Sequence, residues 1–170
     1  SYDYSAIRVA PAVPHEFFGV SVSMSKDELT KQLSFAKQFL LSPTQLSFAP
    51  FSEWEKLIFS GYQLYIHQKL DTTQAKLADC NAVMLGNLLD PWNPTRDNHE
   101  VLLDVLEAAT HFYEIENKLA GLSGRAVVFV SIGMESRIYP DASAQKPIFF
   151  VNGTDSSLYV GSTPAILEAV

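Results

Sequence analysis

The run Ala126-Val-Val-Phe-Val130 constrains this chain more than any other segment. Five consecutive apolar residues leave a strand no face for water, so the run is expected in a sheet covered on both sides. The period stays that of strands from Gly124 onward. Pro147-Ile-Phe-Phe-Val151 and Leu158-Tyr-Val160 bracket Asn152-Gly153, and Ser136-Arg-Ile-Tyr139 adds a short run before Pro140. An antiparallel meander of at least three strands follows. Asn152-Gly-Thr154 also spells a glycosylation sequon, but Asn-Gly is a strong hairpin signal and is read as a turn.

Residues 2–24 read as extended. Ile7 and Val9, then Phe18, Val20 and Val22, alternate with polar or small positions, and Pro11 and Pro14 break the run between them. A strand pair within an N-terminal arm of about 1–24 is the expectation, its strands joining the sheet.

Residues 25–120 read as helical. Ser25/Glu28, Ser52/Glu55, Asp71/Gln74 and Asp97/Glu100 each match the capping box, in which an N-cap oxygen and an acid or amide three residues on satisfy free backbone donors. Met24 and Leu29 stand at the positions of a hydrophobic staple. The spacing predicts four helices, about 26–41, 53–69, 72–89 and 98–119. The first has a stripe of Leu29, Leu33, Ala36 and Leu40; the second is apolar most of the way round; the third is Ala-rich with Cys80 as a small hydrophobe. The fourth ends at Gly121-Leu122, the pattern of a left-handed glycine cap. The fold class expected is therefore α+β: about four helices packed on an antiparallel sheet made of the N-terminal strand pair and the C-terminal meander, one domain over 1–170.

Composition narrows the function classes. Of 170 residues 47% are hydrophobic and 12% aromatic, ample for a core, while charged residues are only 18%. The net charge of −7, with 12 Lys and Arg dispersed along the chain, opposes direct nucleic-acid binding. The lone Cys80 allows no internal disulfide and no Cys-type zinc knuckle, which fits a reducing compartment. No apolar stretch reaches the roughly 18 residues of a membrane span. The expected location is the cytoplasm or a particle assembled there.

No motif names a reaction, and no cofactor motif is present. Asp104, Glu107, His111 and Glu114 share a face of the fourth helix, but at about 100° per residue that face lies opposite the apolar stripe, so it reads as solvated surface rather than a metal or proton-relay site. Glu116 falls inside the stripe and is expected to pair with Arg125 or Arg137, or to snorkel at the helix end. The four histidines do not share a zinc spacing. Asn93, Thr95, Asp97 and Asp104 imitate a calcium loop, but Asn98 stands where the turn needs glycine. Gly121-Leu-Ser-Gly124 is one residue short of a nucleophile elbow.

What remains is a surplus of aromatic side chains in loops and arms. Tyr2, Tyr4, Phe17 and Phe18 in the arm, Phe48 in the connection 42–51, and Trp92 between Pro91 and Pro94 are the candidate interface residues. The function expected is a non-enzymatic structural or assembly subunit that self-associates or docks into a larger protein complex, such as a viral or phage particle. Two alternatives are an enzyme whose site gathers dispersed residues such as His15, Glu116 and Arg137, and an acidic adaptor or inhibitor of another protein.

Overall fold

The computed structural model describes residues 7–9, 37–46, 54–141, 145–153 and 157–168. In chain order the strands are β1 (Ile7–Val9), β2 (Phe39–Ser42), β3 (Glu55–Phe59), β4 (Tyr62–Ile66), β5 (Thr72–Leu77) and β6 (Cys80–Leu89). Helices α1 (Asn98–Glu107) and α2 (Phe112–Ala120) follow, then β7 (Ser123–Ile132), β8 (Glu135–Pro140), β9 (Phe149–Asn152), β10 (Leu158–Gly161) and the short α3 (Pro164–Leu167).

The protein is mostly β, which corrects the expected four helices on one sheet. Among the described residues two antiparallel five-stranded sheets, in orders β1-β8-β7-β6-β5 and β3-β4-β2-β10-β9, carry the fold. They belong to two compact units. The first holds β1 and residues 71–146, and the second lies within 11–70 and 147–170.

The expected second helix, 53–69, is the hairpin β3–β4. Leu57 pairs with Leu64 and Phe59 with Tyr62 around a two-residue loop, Ser60-Gly61. Both loop residues have positive φ, 49° and 84°, the backbone that matches the twist of the flanking strands. The segment is rich in β-branched and aromatic residues, and these pack better on a pleated surface than against a preceding helical turn. The expected third helix, 72–89, is the hairpin β5–β6 around Ala78-Asp79. Here Cys80, Ala82, Met84 and Leu88 face one way and Val83 and Leu85 the other. A segment apolar on every side satisfies a helical template by accident and a doubly covered strand by design. Of the expected first helix, 26–36 lie outside the described residues, and Phe39–Ser42 is β2.

The expected fourth helix exists as two. Asp97 caps α1 as anticipated, its side chain accepting the Glu100 N–H at 2.8 Å while Glu100 accepts the Asp97 N–H at 3.0 Å. The chain then breaks at 108–111. Glu114 reaches back to the N–H groups of Thr110 and His111, at 3.0 and 3.2 Å, and starts α2 afresh. Gly121 ends α2 in right-handed backbone, φ −84°, not with the left-handed cap expected.

The apolar run becomes the middle of β7, third of five strands, with Ala126 to Val130 all at most 2% exposed. Ala126, Val128 and Val130 share a core with Ala82 and Met84 from β6 and with Val101, Leu102, Val105, Phe112 and Ile115 from the helices. The C-terminal strands do not form one meander: β7 and β8 belong to the first sheet, β9 and β10 to the second. Of the N-terminal pair, β1 joins the sheet beside β8, and the rest of the arm lies outside the described residues. In the second unit Leu40, Trp54, Tyr65 and Ile166 form a core under α3. No helix among the described residues is long and apolar enough to cross a membrane.

Candidate interaction site

The segment 90–97, which carries the chain from β6 to α1, is shaped by one carboxylate. Asp90 is 7% exposed. Its Oδ1 accepts the N–H groups of Trp92 and Asn93 at 2.9 and 3.2 Å, and its Oδ2 accepts from Asn93 Nδ2 and Arg96 Nη1 at 3.0 and 3.4 Å. An aspartate that binds backbone two and three residues on stiffens a turn without a regular element. The Asn93 amide above all, with the Trp92 and Asn93 N–H groups and Arg96, holds the Asp90 carboxyl below its ordinary pKa, against the opposing effect of burial. Pro91 and Pro94 lock two more φ angles.

On this braced turn Trp92 stands 86% exposed. Beneath it lies an open cleft of about 350 Å³, lined by Trp92, Asn93, Arg96, Asp104, Asn117 and Lys118 among others. Its floor is a chain of charges. Arg96 reaches Asp104 at 3.5 Å as well as Asp90, and Lys118 reaches Asp104 at 2.9 Å. Two acids and two bases balance, so the cleft has no net charge and presents amides and an indole. That chemistry suits a polar, hydrogen-bonding protein surface capped by one large apolar contact.

The acidic face expected along 98–119 does not persist, because the break at 108–111 puts its members on different helices. Asp104 joins the cleft, Glu114 serves the start of α2, and Glu107 and His111 are exposed.

Glu116 pairs with Arg137, one of its two expected partners, at 2.6 Å. The Arg137 guanidinium lies over the Phe112 ring at 4.3 Å, and the Tyr139 hydroxyl donates to Glu116 at 3.3 Å. Burial, then the Glu116 charge, pushes the Tyr139 hydroxyl pKa far up, so it remains a donor at any physiological pH. Arg137 Nε is buried with no hydrogen-bond partner among the described residues. Acid and base neutralise each other here, which is the arrangement of a structural pair. His15 lies outside the described residues.

Of the candidate interface residues, Trp92 is displayed, while Tyr2, Tyr4, Phe17, Phe18 and Phe48 lie outside the described residues. Residue-by-residue reading missed a second exposed apolar group. Phe149, Phe150 and Val151 of β9 are 36%, 59% and 44% exposed, and among the described residues β9 is the last strand of its sheet rather than an interior one. Pro147, a residue confined to edges and strand starts, was the available signal. Comparison with family models, with curated proteins and with solved structures finds no match.

Proposed function

We propose that the chain is an assembly subunit that associates with protein, its own copies or another member of a complex, through the Trp92 turn. The observation that supports this is the cost of the arrangement. A large apolar side chain kept in water forgoes roughly 1.5–3 kcal/mol of burial, yet Trp92 is held out by a carboxylate with four hydrogen bonds, two of them from Trp92 and Asn93 N–H groups. An anchor ordered before contact loses little entropy on binding. The uncharged balance of the cleft and the mutual neutralisation of Glu116 and Arg137 both favour contact over acid–base chemistry.

Sedimentation velocity and urea unfolding on wild type and Trp92→Ala test the reading. Trp92→Ala should weaken association by about 2 kcal/mol, the threshold of a hot spot, and change folding stability by no more than about 0.5 kcal/mol, as for exposed positions. Unchanged association, or a stability loss of about 3–5 kcal/mol typical of a core tryptophan, would sink it.

A further inference from the structure

The four sheet edges are not alike. Among the described residues the edge strands are β1 and β5 in one sheet, β3 and β9 in the other. β1 contains Arg8, β3 contains Glu55 and Lys56, and β5 contains Lys76. A charge on an edge strand is the usual means of preventing strand addition. β9, Phe-Phe-Val-Asn, has none, nor has the flanking sequence from Pro147 to Gly153.

The hydrogen-bond phase of β9 is fixed by two bonds. Gly153 N–H donates to Ser157 O at 2.7 Å, and Ser162 N–H donates across the other side of β10 to Phe39 O at 3.1 Å. Strand bonding alternates, so Val151 and Phe149 bond inward to Tyr159 and Gly161, and the N–H and C=O groups of Ile148, Phe150 and Asn152 point outward. Phe149 and Val151 rise on the face that carries α3, where with Pro164 and Leu167 they line an apolar groove of about 400 Å³. The groove's charged lining residue, Glu168, is exposed at the end of α3, off the pairing edge.

We propose that β9 is a self-pairing edge: two copies of the chain join β9 to β9 antiparallel about a two-fold axis at Phe150. The inference rests on the assembly reading and names one partner in it, a second copy. The outward residues are spaced symmetrically about Phe150, so the register that sets Phe150 opposite itself satisfies the outward groups of Ile148, Phe150 and Asn152 together. It also stacks an aromatic pair across the junction. Charge limits where two copies can meet. With 19 acids against 12 bases, two copies carry the same net charge and repel, and the uncharged edge lets them approach without like charges in contact. The closed two-fold contact joins the two five-stranded sheets edge to edge.

Single-cysteine scanning tests the register. Facing residues of a hydrogen-bonded antiparallel pair have Cα atoms about 5.5 Å apart, within disulfide reach. Residue 149 faces 151 of the other copy, so two 149 positions lie about 7–8 Å apart or more, beyond that reach. Cys80 is buried, and burial raises its pKa, so it does not compete. Under mild oxidation Phe150→Cys should give a disulfide-linked dimer and Phe149→Cys should form no such cross-link. Asn152→Pro removes an outward N–H and leaves the bonds to β10 in place, and should lower the dimer fraction at least tenfold with circular dichroism unchanged. Equal cross-linking at both positions, none at 150, or a dimer indifferent to Asn152→Pro overturns the proposal. Association that depends on Trp92 while Phe150→Cys fails to cross-link removes the β9 pairing alone. Cross-linking at 150 with association indifferent to Trp92→Ala removes the Trp92 contact alone.

Discussion

Asp90 does more for the surface of this protein than its own exposure suggests, since it sets the backbone on which Trp92 stands. Its carboxyl titrates below the ordinary carboxylate range in the folded chain because the Asn93 amide, the backbone donors and Arg96 bond its ionised form. A folded pKa below the unfolded one means that its contribution is complete above the ordinary range and is lost as the pH falls through the lowered folded value. In a Trp54→Phe background, Trp92 emission should therefore stay constant from pH 8 to about 5 and change only on stronger acidification. Asp90→Ala should abolish that acid step and speed trypsin cleavage after Arg96 at neutral pH. An acid step retained in Asp90→Ala would assign it to another group. At the same scale Glu116 was readable in part: an acid inside an apolar stripe either finds a cation or snorkels past the helix end, and Arg137 is there at 2.6 Å. Which of two arginines it would be was not readable, because Arg125 and Arg137 lie on neighbouring strands and only the register places one beside Glu116.

Elements divide by whether their signals were local. The capping box at Asp97 works because an apolar 3.6-residue stripe, Val101, Leu102, Val105 and Leu106, follows it into a core. The same four-residue pattern at Asp71/Gln74 starts a strand, since Asp71 O accepts the Gly86 N–H across the hairpin. Glycines mark where the strands of this unit crowd. At Gly86, φ 113°, a Cβ would sit inside van der Waals contact of the Arg125 carbonyl oxygen, and at Gly124, φ 125°, inside that of the Asn87 carbonyl oxygen. Both positions need glycine for approach as well as for backbone conformation. Gly86→Ala should cost at least about 2 kcal/mol in urea unfolding. Ala78, with φ 51° at the first position of the β5–β6 loop, is the converse case. Ala78→Gly should gain roughly 0.5–1 kcal/mol by removing a left-handed alanine. A neutral Gly86→Ala would show that β6 and β7 can part there without loss.

For the whole molecule, charge and contact separate. The net charge of −7 makes copies repel at long range, while the contacts proposed for Trp92 and β9 involve an indole, uncharged backbone and phenyl rings. Raising salt from about 0.05 to 0.5 M shortens the Debye length severalfold, so self-association should strengthen with salt. Association that weakens over that range, measured by sedimentation equilibrium, would point to charge pairing across the contact instead. Two distinct surfaces also carry assembly further than one, since a single closed two-fold contact stops at a dimer.

The amino-acid sequence alone determined that 126–130 must be a strand covered on both faces, that a helix begins at Asp97, that Glu116 stands inside an apolar stripe, and that Cys80 has no partner thiol within the chain. Each follows from a cost paid locally: an apolar face, a free N–H, a buried charge or a missing thiol partner. Tertiary structure alone decided between helix and strand for 55–89, because residues apolar on all sides fit either period and only cross-strand neighbours such as Leu57 with Leu64 or Val83 with Phe129 choose. It alone also made β9 an edge. A strand's own residues carry its period, but whether a neighbour lies on its far side is set by the order of strands in the sheet, and among the described residues that order ends at β9.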